Sequence, residues 1–300
     1  MKGPVSVGCR IGATAINKLS DKLTLYSKYI PREFCRKGRS LREIDRWKAT
    51  EYRLFLLYTG PVALNDILCN AVYLNFLLLF VGITCLATPL LVPNYCDYAK
   101  DNLCLFVEHF SRLYGNDMVV YNLHGLVHLS QDVKRFGPLD NFSSFPFESF
   151  LGKLKKLLRT PKCPLQQIIR RLGESQVPLH KGKHVSENQG VKFEHSDGPI
   201  LSNLGYVTQY KEIHMDRFFL SKSIGNSCVS INNEVVIIKN IVQNANKDIL
   251  IIYAKFLSKK DFFTYPLKSS SIGIFKVSHL SDHLYVGGGI TNSKEICYLT

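Results

Sequence analysis

Apolar residues recur at helical spacing through roughly the first 170 positions and at strand spacing after position 200, so the pattern alone divides the chain. Ala15 to Tyr29 reads as a loosely amphipathic helix stopped by Pro31, and a cation-rich loop, Arg32 to Arg42, follows it. A second helix is expected from about Ile44 to Tyr58, closed by Gly60-Pro61. Ala71 to Val92 is a third apolar segment, with no charged residue over 22 positions. Asn94 to Tyr114 then places Leu103, Phe106, Val107, Phe110 and Leu113 on one helical face, with Gly115-Asn116 as its stop. Residues 119 to 136 form a further helix, broken by Gly137-Pro138, and Phe145 to Arg159 and Pro164 to Leu172 complete a mostly helical half.

Residues 174 to 200 lose that periodicity and collect His, Lys, Gly, Ser and Asn, which reads as an exposed linker and a domain boundary. Beyond it, Cys228 to Ile231 and Val235 to Lys239 flank Asn232-Asn233-Glu234 as a hairpin. Strands follow near Ile249 to Phe256, Phe262 to Tyr265, Ile272 to Val277 and Glu295 to Leu299, and Gly287-Gly288-Gly289 reads as a turn. Short strands joined by polar turns predict a small antiparallel barrel or sandwich. The expectation is therefore an α+β protein: a helical region over 1–173, a linker over 174–199 and a small β-domain over 200–300.

Three hundred residues, 46% of them hydrophobic, bury a substantial core and exclude a disordered chain. The net charge of +14 is unevenly spread. Residues 1 to 60 carry 13 Lys/Arg against 5 Asp/Glu and residues 151 to 195 carry 10 against 3, whereas residues 61 to 150 are acidic. Two basic regions flanking an acidic one suit a polyanion partner better than a uniformly basic surface would. The nine cysteines are odd in number, scattered and without a Cys-x-x-Cys pair, which points to reduced thiols in an intracellular compartment and away from a disulfide scaffold or zinc knuckle. Residues 1 to 20 lack the continuous apolar core of a secretory signal. Ala71 to Val92 is long enough to span a bilayer, but its nearest basic residues are Arg53 and Lys100, and Asn75, Gly82, Thr84 and Pro89 interrupt it. A buried helix is the favoured reading, with a membrane span as the alternative.

Candidate chemistry concentrates in NLHGLVHLSQDVKRFGPLDNFSSFPFESFLGKLKK, Asn122 to Lys156. On the helix that starts at Phe145, Phe147, Phe150, Leu151, Leu154 and Leu158 form one apolar stripe, and Glu148, Gly152, Lys155 and Arg159 form another. A carboxylate in line with two cations suits a helix that brings a metal ligand against a phosphate backbone. The plain alternative is a Glu favoured by the helix dipole after Pro146, with a solvated Lys155, and on geometry alone it is the better one. Glu51, an acid on a basic helix, is the second candidate; it would equally serve a surface ion network with Arg46, Lys48 or Arg53. His124 and His128, like His279 and His283, have zinc-compatible spacing but no third ligand in sequence, so packing roles are expected. The chain contains no dinucleotide fingerprint, phosphate-binding glycine loop or recognisable Ser-His-Asp context.

The Asn122 to Lys156 segment resembles the C-terminal part of the transposases of CACTA (En/Spm-type) DNA transposons, in which a His-containing helix, a Gly-Pro turn and a Pro-Phe-Glu helix with trailing lysines occur in that order. YIPREFCRKGRSLREIDRWKATEYRLFLLYTGPVAL, Tyr29 to Leu64, resembles the segment preceding this region in animal members, and the tail from about Gly198 resembles the small domain that follows it. The resemblance implies the end of an RNase H-like core with its helical insertion. It makes Glu148 the third carboxylate of a two-Mg²⁺ site, with Glu51 the runner-up. The family carries the first two carboxylates on upstream strands, and this chain has no acid on a convincing buried strand before Glu148. The resemblance thus implies a truncated or domesticated transposase that binds no metal on its own, Mg²⁺ being the cofactor of an intact member. DNA would be held by Arg36, Lys37, Arg39, Arg46, Lys48, Lys153, Lys155, Lys156, Arg159, Arg170 and Arg171, in an intracellular, nuclear protein. Its further partners would be a second copy or a full-length transposase. The rival expectation is a protein-interaction module without DNA binding.

Overall fold

The computed structural model describes residues 9–174, 190–215, 218–288 and 298–299. Its helices are α1 (Ala13–Tyr26), α2 (Ala49–Leu54), α3 (Gly60–Leu64), α4 (Asn70–Ala87), α5 (Val92–Tyr114), α6 (Tyr121–His124), α7 (Leu129–Phe136), α8 (Phe145–Lys156) and α9 (Pro164–Glu174). Its strands are β1 (Gly190–His195), β2 (Val207–His214), β3 (Phe219–Ser221), β4 (Cys228–Ile231), β5 (Glu234–Asn244), β6 (Ile249–Asp261), β7 (Phe275–Leu280), β8 (Tyr285–Gly288) and β9 (Tyr298–Leu299). A helical half followed by an antiparallel half makes this an α+β fold, as the periodicity predicts.

Because α4 is apolar around most of its circumference, it needs cover on several sides. Among the described residues it is the one helix long and apolar enough to cross a membrane, with mean hydropathy 1.9 over 18 residues. In the fold, however, Leu77, Leu78, Phe80, Val81, Cys85 and Leu86 are all sealed inside the protein. Helix α5 supplies one wall through Cys96, Ala99, Leu103 and Phe106, a face close to the predicted one. The buried amide of Asn75 is satisfied, donating to the Phe106 carbonyl at 3.0 Å. Burial also pushes the Cys85 thiol up to about 12, so it packs as a neutral group.

Three helical expectations need revising. Residues 41–46 form a separate 3-10 turn, capped by the Ser40 side chain, which accepts the Arg42 N–H. Trp47 then adopts an extended backbone that buries its ring and lets its indole N–H donate to the Ser40 carbonyl at 3.3 Å. Gly60-Pro61 does not end a helix: the path widens into a π-turn over Phe55–Thr59, in which the Gly60 N–H reaches the Phe55 carbonyl, and continues into α3. A wider turn tolerates a residue without an N–H, and a Cβ at Gly60 would lie 2.6 Å from that carbonyl oxygen. The helix expected over 119–136 is three pieces, α6, a 3-10 turn over Gly125–His128, and α7.

In the sheet, β5 and β6 are the long central pair, and the path runs β1-β2-β5-β6-β7-β9, with β3 on β2, β4 on β5 and β8 on β6. All pairs but β7 with β9 are antiparallel. Among the described residues the strands make one open sheet rather than a closed barrel or a sandwich. The β4–β5 turn is Asn232-Asn233, both at positive φ, as a tight two-residue hairpin requires. Gly190–His195 is a strand within the expected linker. Gly287 and Gly288 lie in β8 instead of a turn, where the missing Cβ of Gly287 leaves room for the Tyr253 ring. Phe262 to Tyr265 is a loop, and the segment beginning at Ile272 becomes strand only at Phe275. The strand expected over Glu295 to Leu299 is described only at its last two residues, and Gly289 lies outside the described residues.

One apolar cluster spans both halves: Phe263 and Ile274, from the loop between β6 and β7, join Leu77, Phe80 and Leu103. Polar contacts reinforce the join. Glu33 accepts the Phe219 N–H at 3.1 Å and the Asn226 amide at 2.9 Å, and the Arg32 N–H donates to Asn226 at 3.2 Å. Phe80→Ala is expected to cost about 3–5 kcal/mol. Trp47, the one tryptophan, reports the helical half in denaturant titrations, and far-UV circular dichroism reports both halves. A shared core predicts coincident transitions that shift together in the variant; a sheet signal that keeps its own midpoint would count against it.

Candidate nucleic-acid interface

Helix α8 begins where Pro146, in its first turn, presets the backbone, and the dipole favours Glu148 there and Lys153, Lys155 and Lys156 in the last turn. No residue of α8 or α9 is buried. The apolar stripe predicted on α8 therefore faces solvent, with Phe147 70% and Leu151 62% exposed, and α9 presents Leu165, Ile169 and Leu172 likewise. Gln167 closes the turn between the helices: its Oε1 accepts the Arg159 N–H at 3.0 Å and its Nε2 donates to the Thr160 carbonyl at 3.0 Å. Arg53 ties this pair to the helical core, bonding Asp140 at 2.9 Å and lying 5.9 Å from the Phe145 ring centre.

The cations here are mostly unneutralised. Lys153, Lys155, Lys156, Arg159, Lys162 and Arg171 make no ion pair with a described residue, whereas Arg170 is bound to Glu174 at 2.7 Å. A helical pair with free ammonium and guanidinium groups beside exposed rings has the chemistry to hold phosphates and stack bases.

The N-terminal cations divide differently. Arg36, Lys37, Arg46 and Lys48 are exposed. Arg39 is committed within the protein: Nε and Nη2 donate to the two Glu51 oxygens at 2.6 and 2.8 Å, and Nη2 also donates to the Arg46 carbonyl at 2.7 Å. Glu51 is 2% exposed and also accepts the Lys48 N–H at 2.9 Å, which completes the start of α2. Sequence reasoning paired it with Arg46, Lys48 or Arg53; the long-range partner Arg39 has no helical spacing to reveal it. With its oxygens occupied, Glu51 holds the chain together rather than facing a metal.

Glu148 lies exposed in the first turn of α8. Among the described residues no three His, Cys, Asp or Glu side chains converge as a metal site. The described residues bring no such group of ligands to Glu148. His124 and His128 are exposed, with ring centres 5.5 Å apart. His279 and His283 are exposed too, and the Ser278 hydroxyl contacts His279 Nδ1 at 3.0 Å.

The Arg39 hydrogen bond holds the Glu51 carboxyl below its usual range, with burial opposing and the Lys48 N–H assisting. A depressed native pKa means that this stabilisation is complete above the unfolded value of about 4.3 and is lost as pH falls through the native value. Glu51→Gln is expected to cost about 2 kcal/mol at neutral pH, less than the ~3–5 kcal/mol of a fully enclosed pair, because Arg39 is 32% exposed. Urea titrations should show that deficit shrinking between pH of about 5 and about 2. An unchanged deficit across that range would remove the ion pair as its cause.

A family model described as Domain of unknown function (DUF8592) matches residues 194–288, from the end of β1 to the end of β8. The match covers less than half of the chain and none of its helices. No curated protein and no solved structure matches the chain.

Proposed function

We propose that this chain is a transposase-derived DNA-binding protein that engages the phosphate backbone through α8 and α9. The single observation carrying this reading is that six cations of the helical pair and its connecting turn make no ion pair with a described carboxylate. Their order along the chain, after a His-containing helix, a Gly-Pro break and a Pro-Phe-Glu start, is also what the CACTA transposase resemblance rests on. Arg36, Lys37, Arg46 and Lys48 extend the basic surface in this proposal, and Arg39 does not contribute to it. Glu148 stands as an ancestral third carboxylate, and no strand-cleavage step is assigned to it. A nuclear location and assembly with a second copy or a full-length transposase belong to the same proposal.

A protein-interaction module is the second reading. It is favoured by the exposed Phe147, Phe150, Leu151, Leu165, Ile169 and Leu172, which would bury well against an apolar partner.

Binding of the chain to a labelled duplex across a salt series separates the two. Each phosphate contact adds roughly −0.9 to the slope of log affinity against log salt concentration. Lys155→Ala with Arg159→Ala is expected to weaken binding and flatten that slope by about 2. No binding at low salt, or binding untouched by the double substitution, would discard the proposed interface and leave the interaction module.

A further inference from the structure

Helix α8 exposes aromatic and cationic groups side by side. Phe147 and Phe150 are 70% and 54% exposed and three positions apart, so both rings stand on the same side of the helix. Neither meets another aromatic ring or a cation among the described residues. Lys153 comes three positions after Phe150 and Lys155 four after Leu151, which puts each lysine one turn along, on opposite flanks of the apolar stripe. Carboxylates do not cancel this charge: residues 145 to 174 contain seven Lys/Arg against two Asp/Glu, and one of the two, Glu174, is bound to Arg170. The other, Glu148, lies in the first turn of α8, whereas all three lysines of the helix lie in its last. Phosphates are therefore drawn to the C-terminal end of α8 and the turn beyond it. The rings lie toward the acidic start, where an uncharged base meets none of the repulsion that a phosphate would.

Such a surface fits a ligand in which anionic and apolar groups alternate. An unkinked duplex offers a helix only its backbone and groove edges, so exposed rings gain little from it. In a single strand every base presents a face to an aromatic ring beside its own phosphate. The spacing agrees. Cβ atoms three residues apart on a helix are separated by about 5–6 Å, wider than the ~3.4 Å repeat of a stacked strand, so bases that meet both rings are unstacked ones.

We propose that the α8–α9 surface selects unpaired DNA over duplex, its cations holding the phosphates and Phe147 and Phe150 stacking on the bases. This rests on the reading of α8–α9 as a DNA-binding surface and adds which form of DNA it takes. Charge alone gives the opposite order. A single strand has the lower charge density and releases fewer counterions per phosphate contact, about 0.7 against about 0.9 for duplex. A preference for the strand therefore has to come from the rings.

The test titrates the full chain, by fluorescence anisotropy across a salt series, with labelled oligothymidylate, a duplex and an abasic deoxyribose-phosphate strand, all of one length. Oligothymidylate is expected to bind about tenfold or more tighter than either of the others. Its advantage over the abasic strand should persist as salt rises, because stacking releases no counterions. Phe147→Ala with Phe150→Ala should weaken the oligothymidylate complex about tenfold or more and leave duplex affinity unchanged. Phe147→Tyr with Phe150→Tyr keeps both rings and should keep the preference, and an unchanged melting temperature in each variant shows that it folds. Oligouridylate separates the sources: its binding as tightly as oligothymidylate supports the stacking surface and extends it to RNA, and weaker binding supports it for DNA alone. A duplex or an abasic strand bound as tightly as oligothymidylate, or an alanine variant that keeps the preference, would overturn this inference while duplex binding through the cations, and with it the proposed function, still stands. Absence of binding to strand and duplex alike at low salt would overturn both.

Discussion

The fold depends on one apolar contact, the Phe263 ring set edge-on to Phe80 at 6.0 Å between ring centres. Helix α4 carries too much apolar surface for α5 alone to cover; Leu19, Leu23, Trp47, Leu64 and Val133 join the same core, and the loop after β6 adds Phe263 and Ile274. Ser269 gives that loop its shape. Its buried hydroxyl donates to the Ile274 carbonyl at 2.8 Å and lies 2.7 Å from the Phe262 nitrogen, whose N–H it accepts. A regular strand through Phe262 to Tyr265 would alternate these side chains across the sheet, whereas the loop is free to turn Phe263 toward the helices. The hydrophobic term thus overrides local strand propensity at this point.

Electrostatics are distributed around that frame in two ways. Some carboxylates are tied to a cation inside the structure: Glu51 to Arg39, Asp140 to Arg53, and Asp66 to Lys18 at 3.0 Å and to Lys22, which holds the Asp66 carboxyl at about 2. Other cations make no ion pair with a described residue, and six of them, Lys153, Lys155, Lys156, Arg159, Lys162 and Arg171, lie along α8, α9 and the turn between them. These cations stand beside the exposed rings of Phe147 and Phe150.

Much of the architecture was legible in the residue pattern. The α5 face, the Asn232-Asn233 hairpin and the start of α8 at Phe145 each follow from rules that act over a few residues. The failures share a cause. Gly60-Pro61 reads as a stop because the π-turn that accommodates it is not written in the local pattern, and Gly287 reads as a turn because the Tyr253 ring it makes room for lies 34 positions away. For the candidate interface, the basic and apolar stripes of α8 were visible beforehand, but their exposure was not. An amphipathic helix ordinarily turns its apolar stripe inward, and nothing local says that Phe147 and Leu151 are left uncovered by the described elements.

By itself, then, the sequence determined the α+β division, the charge asymmetry and the cation-bearing face of α8, because periodicity and composition are properties of neighbouring residues. Only the tertiary structure decided that Arg39 belongs to Glu51, that the sheet stays open, and that Phe263 enters the helical core. Each of these joins residues through strand register or packing between distant segments. Such pairings are set by the free energy of the whole chain, and no short stretch of it encodes them.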